Sequence, residues 1–114
     1  MNQMQSLLII GFVWPEPNSS AAGGRMMQLI SLFQKQGFQV VFASPAQDSD
    51  FMVDLSKFGV QKESIELNNS SFDNFIKELN PVVVLFDRFM IEEQFGWRVA
   101  ENCPDALRIL DTED

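Results

Sequence analysis

Residues 7–25 read LLIIGFVWPEPNSSAAGGR, and the fold turns on this stretch. The apolar run at 7–13, LLIIGFV, has the composition of a strand buried on both faces, the usual opening strand of a parallel sheet. From Met26 the spacing changes. Met26, Leu29, Ile30 and Phe33 fall at i, i+3, i+4 and i+7, the stripe of an amphipathic helix, and Gly37 is a natural stop. Between strand and helix lies a connection of about nine residues, where strand-to-helix loops usually take roughly two to six. It opens on Pro15 and Pro17 and closes on Gly23, Gly24 and Arg25.

The corner has a specific chemistry. Ser19 or Ser20 can cap the helix, and the uncapped N–H groups of its first turn form an anion site. Gly23 and Gly24 each cost about 1 kcal/mol in a helical turn relative to alanine. Their lack of a Cβ lets a ligand approach the backbone. Arg25 stands at the positive end of the helix, where the macrodipole disfavours a cation by a few tenths of a kcal/mol; a bound phosphate or carboxylate would reverse that. The same residues also fit a loop whose glycines simply let the helix pack close to the sheet. Neither GxGxxG nor a P-loop is present.

Working outward, residues 39–44 (QVVFAS) read as a second buried strand closed by Pro45. Asp48 or Ser49 can cap a short helix with Phe51, Leu55 and Phe58 on one face and Gly59 at its end. The polar span that follows contains one short edge strand at 65–67. Ser70 with Asp73 resembles a capping box, and Phe72, Phe75, Ile76 and Leu79 form the next helical stripe, stopped by Asn80 and Pro81. The run VVVLF at 82–86 is a central parallel strand. A helix from about Ile91 to Asn102, with Ile91, Phe95 and Val99 on one face, leads past Pro104 to a fifth strand at 106–110.

This alternation predicts a doubly wound, mostly parallel five-stranded α/β sheet, with 3-2-1-4-5 the common strand order. In that order the switch point lies between strands one and four, and ligands sit above the carboxyl ends there. The corner, Asp87–Arg88–Phe89 and the residues from Asp111 onward converge on it. Arg88 suits clamping a carboxylate or phosphate, or pairing with Asp87 or Glu92 as ordinary surface charge. Trp97 falls off the core stripe, as a sugar-stacking ring or a partly buried surface tryptophan would. Asp111, Glu113 and Asp114 are oxygen ligands that could hold magnesium, or a solvated acidic cluster.

Composition narrows the functions. Over 114 residues, 46% are hydrophobic and 21% charged, as in an ordinary globular domain. A net charge of −8 argues against nucleic acid and against docking on anionic lipid through net charge. No stretch reaches the length of a membrane span, and the start lacks the basic residues of a signal peptide. Cys103 is the only cysteine, so no internal disulfide forms and a reducing cytoplasm fits. With no histidine, this chain supplies no histidine base, Ser-His-Asp triad or ordinary zinc site.

The phrases LLIIGFVWPEPNSSAAGGRM, LFQKQGFQVVFASP, VVVLFDRF and EEQFGWRVAENCPDALRILDTED together resemble the N-terminal Rossmann-like domain of group 1 (family 4) glycosyltransferases of the GT-B fold. The resemblance implies transfer of a sugar from a nucleotide-sugar donor to an acceptor. It also implies a partner C-terminal Rossmann-like domain that holds most of the nucleotide and carries paired glutamates. The present chain would be the acceptor-side lobe, truncated after strand five and inactive alone, with the nucleotide-sugar as substrate and no cofactor. Gly23, Gly24, Arg25, Glu16, Asn18, Asp87, Arg88 and Asp111 would contact donor phosphate or acceptor; none is implied to be catalytic. The paired glutamates are missing here, as is the N-domain histidine of many such enzymes.

Two other classes compete. A non-catalytic α/β binding or interaction module fits the same architecture. A receiver-like signalling domain fits the size but needs an acidic pair after strand one, where this chain has Val13, Trp14 and Pro15 with Glu16 beyond. A DxD-type metal site is disfavoured by the spacing of Asp111 and Asp114.

Overall fold

The computed structural model describes residues 4–111. Its elements are β1 (Ser6–Ile10), α1 (Ala21–Lys35), β2 (Gln39–Ser44), a 3-10 turn (Leu55–Phe58), β3 (Gln61–Ser64), α2 (Ser71–Leu79), β4 (Val83–Asp87), α3 (Phe89–Asn102) and β5 (Leu107–Asp111). All neighbouring strands pair in parallel, in the order β3-β2-β1-β4-β5. This is the doubly wound, Rossmann-like sheet that the alternation of apolar runs and helical stripes predicts.

Alternation within the central strands builds two cores. Leu7 and Ile9 of β1 pack with Met26 and Ile30 of α1, whereas Leu8 and Ile10 face Phe72, Ile76, Phe95 and Val99 of α2 and α3. Each such side chain contributes about 1.5–3 kcal/mol on burial. Across the α2–α3 seam, the Phe72 and Phe95 rings stand 4.8 Å apart. Asp73 accepts from Arg98 Nη1 at 2.8 Å and from Asn102 at 3.0 Å. Arg98 also lies over the Trp97 ring, 4.4 Å from its centroid, so Trp97 is the half-exposed surface tryptophan. Burial pushes the Cys103 thiol up from its ordinary range, and its Sγ donates to Ile76 O.

Several local expectations are corrected. β1 ends at Ile10 rather than at residue 13, leaving Phe12 and Val13 exposed. Gly11 N still donates to Ala43 O of β2 at 2.9 Å, and the chain bends away at Phe12 and Val13; a Cβ on Gly11 would lie 2.5 Å from the Phe42 ring. α1 begins at Ala21, so both corner glycines lie within its first turn. The short helix is a single 3-10 turn capped by Asp54, not by Asp48 or Ser49, and only Leu55 of its expected face is buried. The Ser56 hydroxyl donates to the Asp54 carboxylate and holds its pKa below the usual value. The edge strand is the polar QKES at Gln61–Ser64 rather than 65–67, because backbone pairing to β2 needs no apolar pattern at an edge. Ser70 makes no capping bond; Asn69 Oδ1 accepts from Ser71 N instead, and Asp73 serves the α2–α3 seam.

The two flanks differ. β3 carries Lys62 and Glu63, whereas β5 exposes Leu107 and Leu110. Among the described residues, no helix is long and apolar enough to cross a membrane.

Candidate functional site

Above the carboxyl ends of β1 and β4 a cavity of about 220 Å³ opens between the loop after β1, the first turn of α1 and the end of β4. It lies at the switch point of the sheet, where α/β folds receive ligands. Val13, Trp14, Met26 and Phe42 supply its apolar lining, and Glu16, Ser20, Asp87 and Arg88 its polar groups. Trp14 is buried, donates Nε1 to Ala46 O at 3.1 Å and sits 5.9 Å from the Phe42 ring, so this wall is rigid.

The Pro15–Glu16–Pro17 turn shapes the other wall. The Glu16 carbonyl accepts from Ser19 N at 3.1 Å and Ser20 N at 3.0 Å, which brings the chain round into α1. Ser20 is the N-cap, its Oγ accepting from Gly23 N at 3.0 Å. The Glu16 carboxylate accepts from the hydroxyls of Ser19 and Ser49. Gly23 presses against this turn: a Cβ there would lie 2.5–2.7 Å from the backbone C, O and N of Glu16. Gly23 is therefore required for close backbone packing, and its N–H already has a partner. Gly24 has more room, its nearest neighbour being Pro17 O at 4.0 Å.

Arg25 forms an ion pair across the sheet end. Its Nη1 donates to Asp111 Oδ2 at 2.7 Å, and the Asp111 side chain is only 11% exposed. Asp111 and Asp87 are register partners on β5 and β4, so two carboxylates stand side by side where Arg25 arrives. The pair joins residues 86 apart in sequence and offsets the unfavourable meeting of Arg25 with the α1 dipole.

Arg88 begins α3 with φ 82° and ψ 151°, a region essentially reserved for glycine. Such strain costs about 1–3 kcal/mol and persists where surrounding structure imposes it, often at functional sites. Arg88 N donates to Asp111 O at 2.8 Å, and its guanidinium lies 5.7 Å from the Phe12 ring centroid.

Of the expected site residues, Glu16, Gly23, Asp87 and Arg88 meet at the cavity. Gly24, Arg25 and Asp111 stand beside it without lining it, and Asn18 is exposed on the loop. Ser20, Trp14, Met26 and Phe42 are the additions. Met26 and Phe42 read only as core in sequence, because their place in the wall follows from the bend at Phe12 and Val13. The magnesium candidate includes Glu113 and Asp114, which lie outside the described residues. Among the described residues no three acidic or cysteine side chains cluster as a metal site would need. Comparison of the chain with protein-family models, curated proteins and solved structures returned no match.

Proposed function

We propose that this chain is the acceptor-side lobe of a glycosyltransferase that moves a sugar from a nucleotide-sugar donor, with a second Rossmann-like lobe holding the nucleotide. The observation that carries this reading is a cavity open on one side at the switch point, rimmed by apolar side chains. Its volume, about 220 Å³, falls below the roughly 300–1,000 Å³ of pockets that enclose a complete small ligand. Val13 lines it and is exposed, as are Phe12 next to Val13 and Phe89 and Met90 next to Arg88 in sequence. A half-cleft with an apolar border suits a site completed by an opposing wall.

In this reading the lobe orients the acceptor through Asp87 and Arg88, and donor activation falls to the other lobe. Excluding water between the two walls would strengthen every polar contact inside. The test is release of nucleoside diphosphate, with and without acceptors, by the product of the complete reading frame across a panel of nucleotide-sugars. Transfer that falls at least about tenfold with Arg88→Gln, about 1.4 kcal/mol of transition-state stabilisation, supports the proposal. A complete product that transfers no sugar from any donor overturns it and favours a non-catalytic binding module.

A further inference from the structure

We infer that the outward face of α3 is a docking surface for a partner protein's amphipathic helix whose apolar stripe is flanked by lysine or arginine. The inward face of α3 is settled by Ile91, Phe95 and Val99, all buried in the core it shares with α2 and the sheet. Met90, Glu93, Trp97 and Glu101 follow at i, i+3, i+7 and i+11, so they form one stripe on the opposite side. A helix that covers a sheet ordinarily turns polar residues outward, yet Met90 is 58% and Trp97 52% exposed. Trp97 is also held in place. The Arg98 guanidinium lies 4.4 Å from its ring centroid and is itself fixed by Asp73 at 2.8 Å, with the Arg98 side chain only 11% exposed. A ring fixed in this way has little rotamer freedom to lose on binding, and tryptophan is among the commonest interface anchors.

Charge selects the occupant. The exposed ionic groups on the stripe are Glu93 and Glu101, while Arg98, the basic residue within α3, is turned to Asp73. Arg108 is exposed on the same face of the sheet, but it belongs to the β5 edge. A second copy of this chain, net charge −8, would set glutamates against glutamates, and an anionic membrane is repelled in the same way. A cationic helix pairs with both glutamates. Its own apolar residues at i and i+7 match Met90 and Trp97, which stand about 10 Å apart along the helix axis. None of the cavity-lining residues belongs to α3, so this surface is separate from the site at the switch point and does not rest on the transferase reading.

The experiment titrates the 114-residue chain with a synthetic peptide of about five helical turns, leucine on one face and lysine flanking it. Tryptophan emission reads the docking directly: Trp97 should shift to the blue as it leaves water, whereas Trp14 is already buried. Trp97→Ala should weaken binding about tenfold or more and remove the emission shift. Glu93→Lys combined with Glu101→Lys should weaken it about tenfold and flatten its salt dependence, which keeps the test open should the tryptophan variant fold poorly. Dispersed amide spectra establish that each variant folds. No emission shift with the lysine peptide, equal binding of a peptide with glutamate in place of lysine, or binding that survives the double charge reversal overturns the inference. Self-association of the chain through Trp97, or a blue shift on phosphatidylglycerol vesicles, overturns it in favour of a second copy or a lipid surface. A complete reading-frame product that refuses the peptide while the 114-residue chain takes it up also overturns it, because the face is then covered from within.

Discussion

Replacing Gly23 by alanine sets two known effects against each other. An alanine inside a helix is favoured over glycine by about 1 kcal/mol. Its Cβ would meet the Glu16 backbone at 2.5–2.7 Å, closer than real Cβ contacts come. That backbone is flanked by Pro15 and Pro17, and its carbonyl anchors Ser19 and Ser20, so the turn cannot swing aside without loosening the cap of α1. Overpacking of this kind costs about 1–3 kcal/mol and loss of a cap about 1 kcal/mol more. The expected net change is a loss of about 2 kcal/mol, a fall in Tm of roughly 8 °C for a domain of this size. Gly24→Ala is the matched control. With 4.0 Å of clearance to Pro17 O it should gain about 0.5–1 kcal/mol. Thermal and urea unfolding followed by circular dichroism measure both. A Gly23→Ala protein as stable as the parent, or a Gly24→Ala protein that is the worse of the two, would refute the packing account of Gly23.

Arg25→Ala should destabilise by about 1–2 kcal/mol, between the values for exposed and buried pairs. In a double-mutant cycle with Asp111→Asn, most of that loss should disappear, and strictly additive effects would count against the pair. Arg88→Gly should raise stability by up to about 1–3 kcal/mol through relief of the φ 82° backbone; a less stable glycine variant in urea unfolding contradicts the strain. For Cys103 the folded pKa is raised above the unfolded value near 9.0, so its contribution is complete below that pH and is lost as pH climbs through the folded value. The stability gap between the parent and Cys103→Ala, measured in urea, should therefore narrow from neutral pH to about pH 10; a gap that widens would reverse the sign.

The sheet was legible because β1, β2 and β4 are continuous apolar runs, and a strand buried on both faces has no polar face to hide its signal. The short edge strand was misplaced by that same logic: QKES pairs through its backbone alone, and hydropathy says nothing about it. Phe51 and Phe58 mimic a helical stripe at positions that remain on the surface. At the site, Glu16, Gly23, Asp87 and Arg88 could be named because strand ends and a glycine corner are placed by topology. Partner choice could not. Arg25 and Asp111 are far apart in sequence, and only the paired ends of β4 and β5 bring the two together.

The flanks of the sheet set how the molecule meets its surroundings. A foreign strand laid along β3 must settle against lysine and glutamate, whereas one laid along β5 finds the exposed Leu107 and Leu110. Lengthening of the sheet is thus steered to one side, away from the corner that forms the cavity wall. Crowding or high salt, which tests every flank at once, will be felt first along β5.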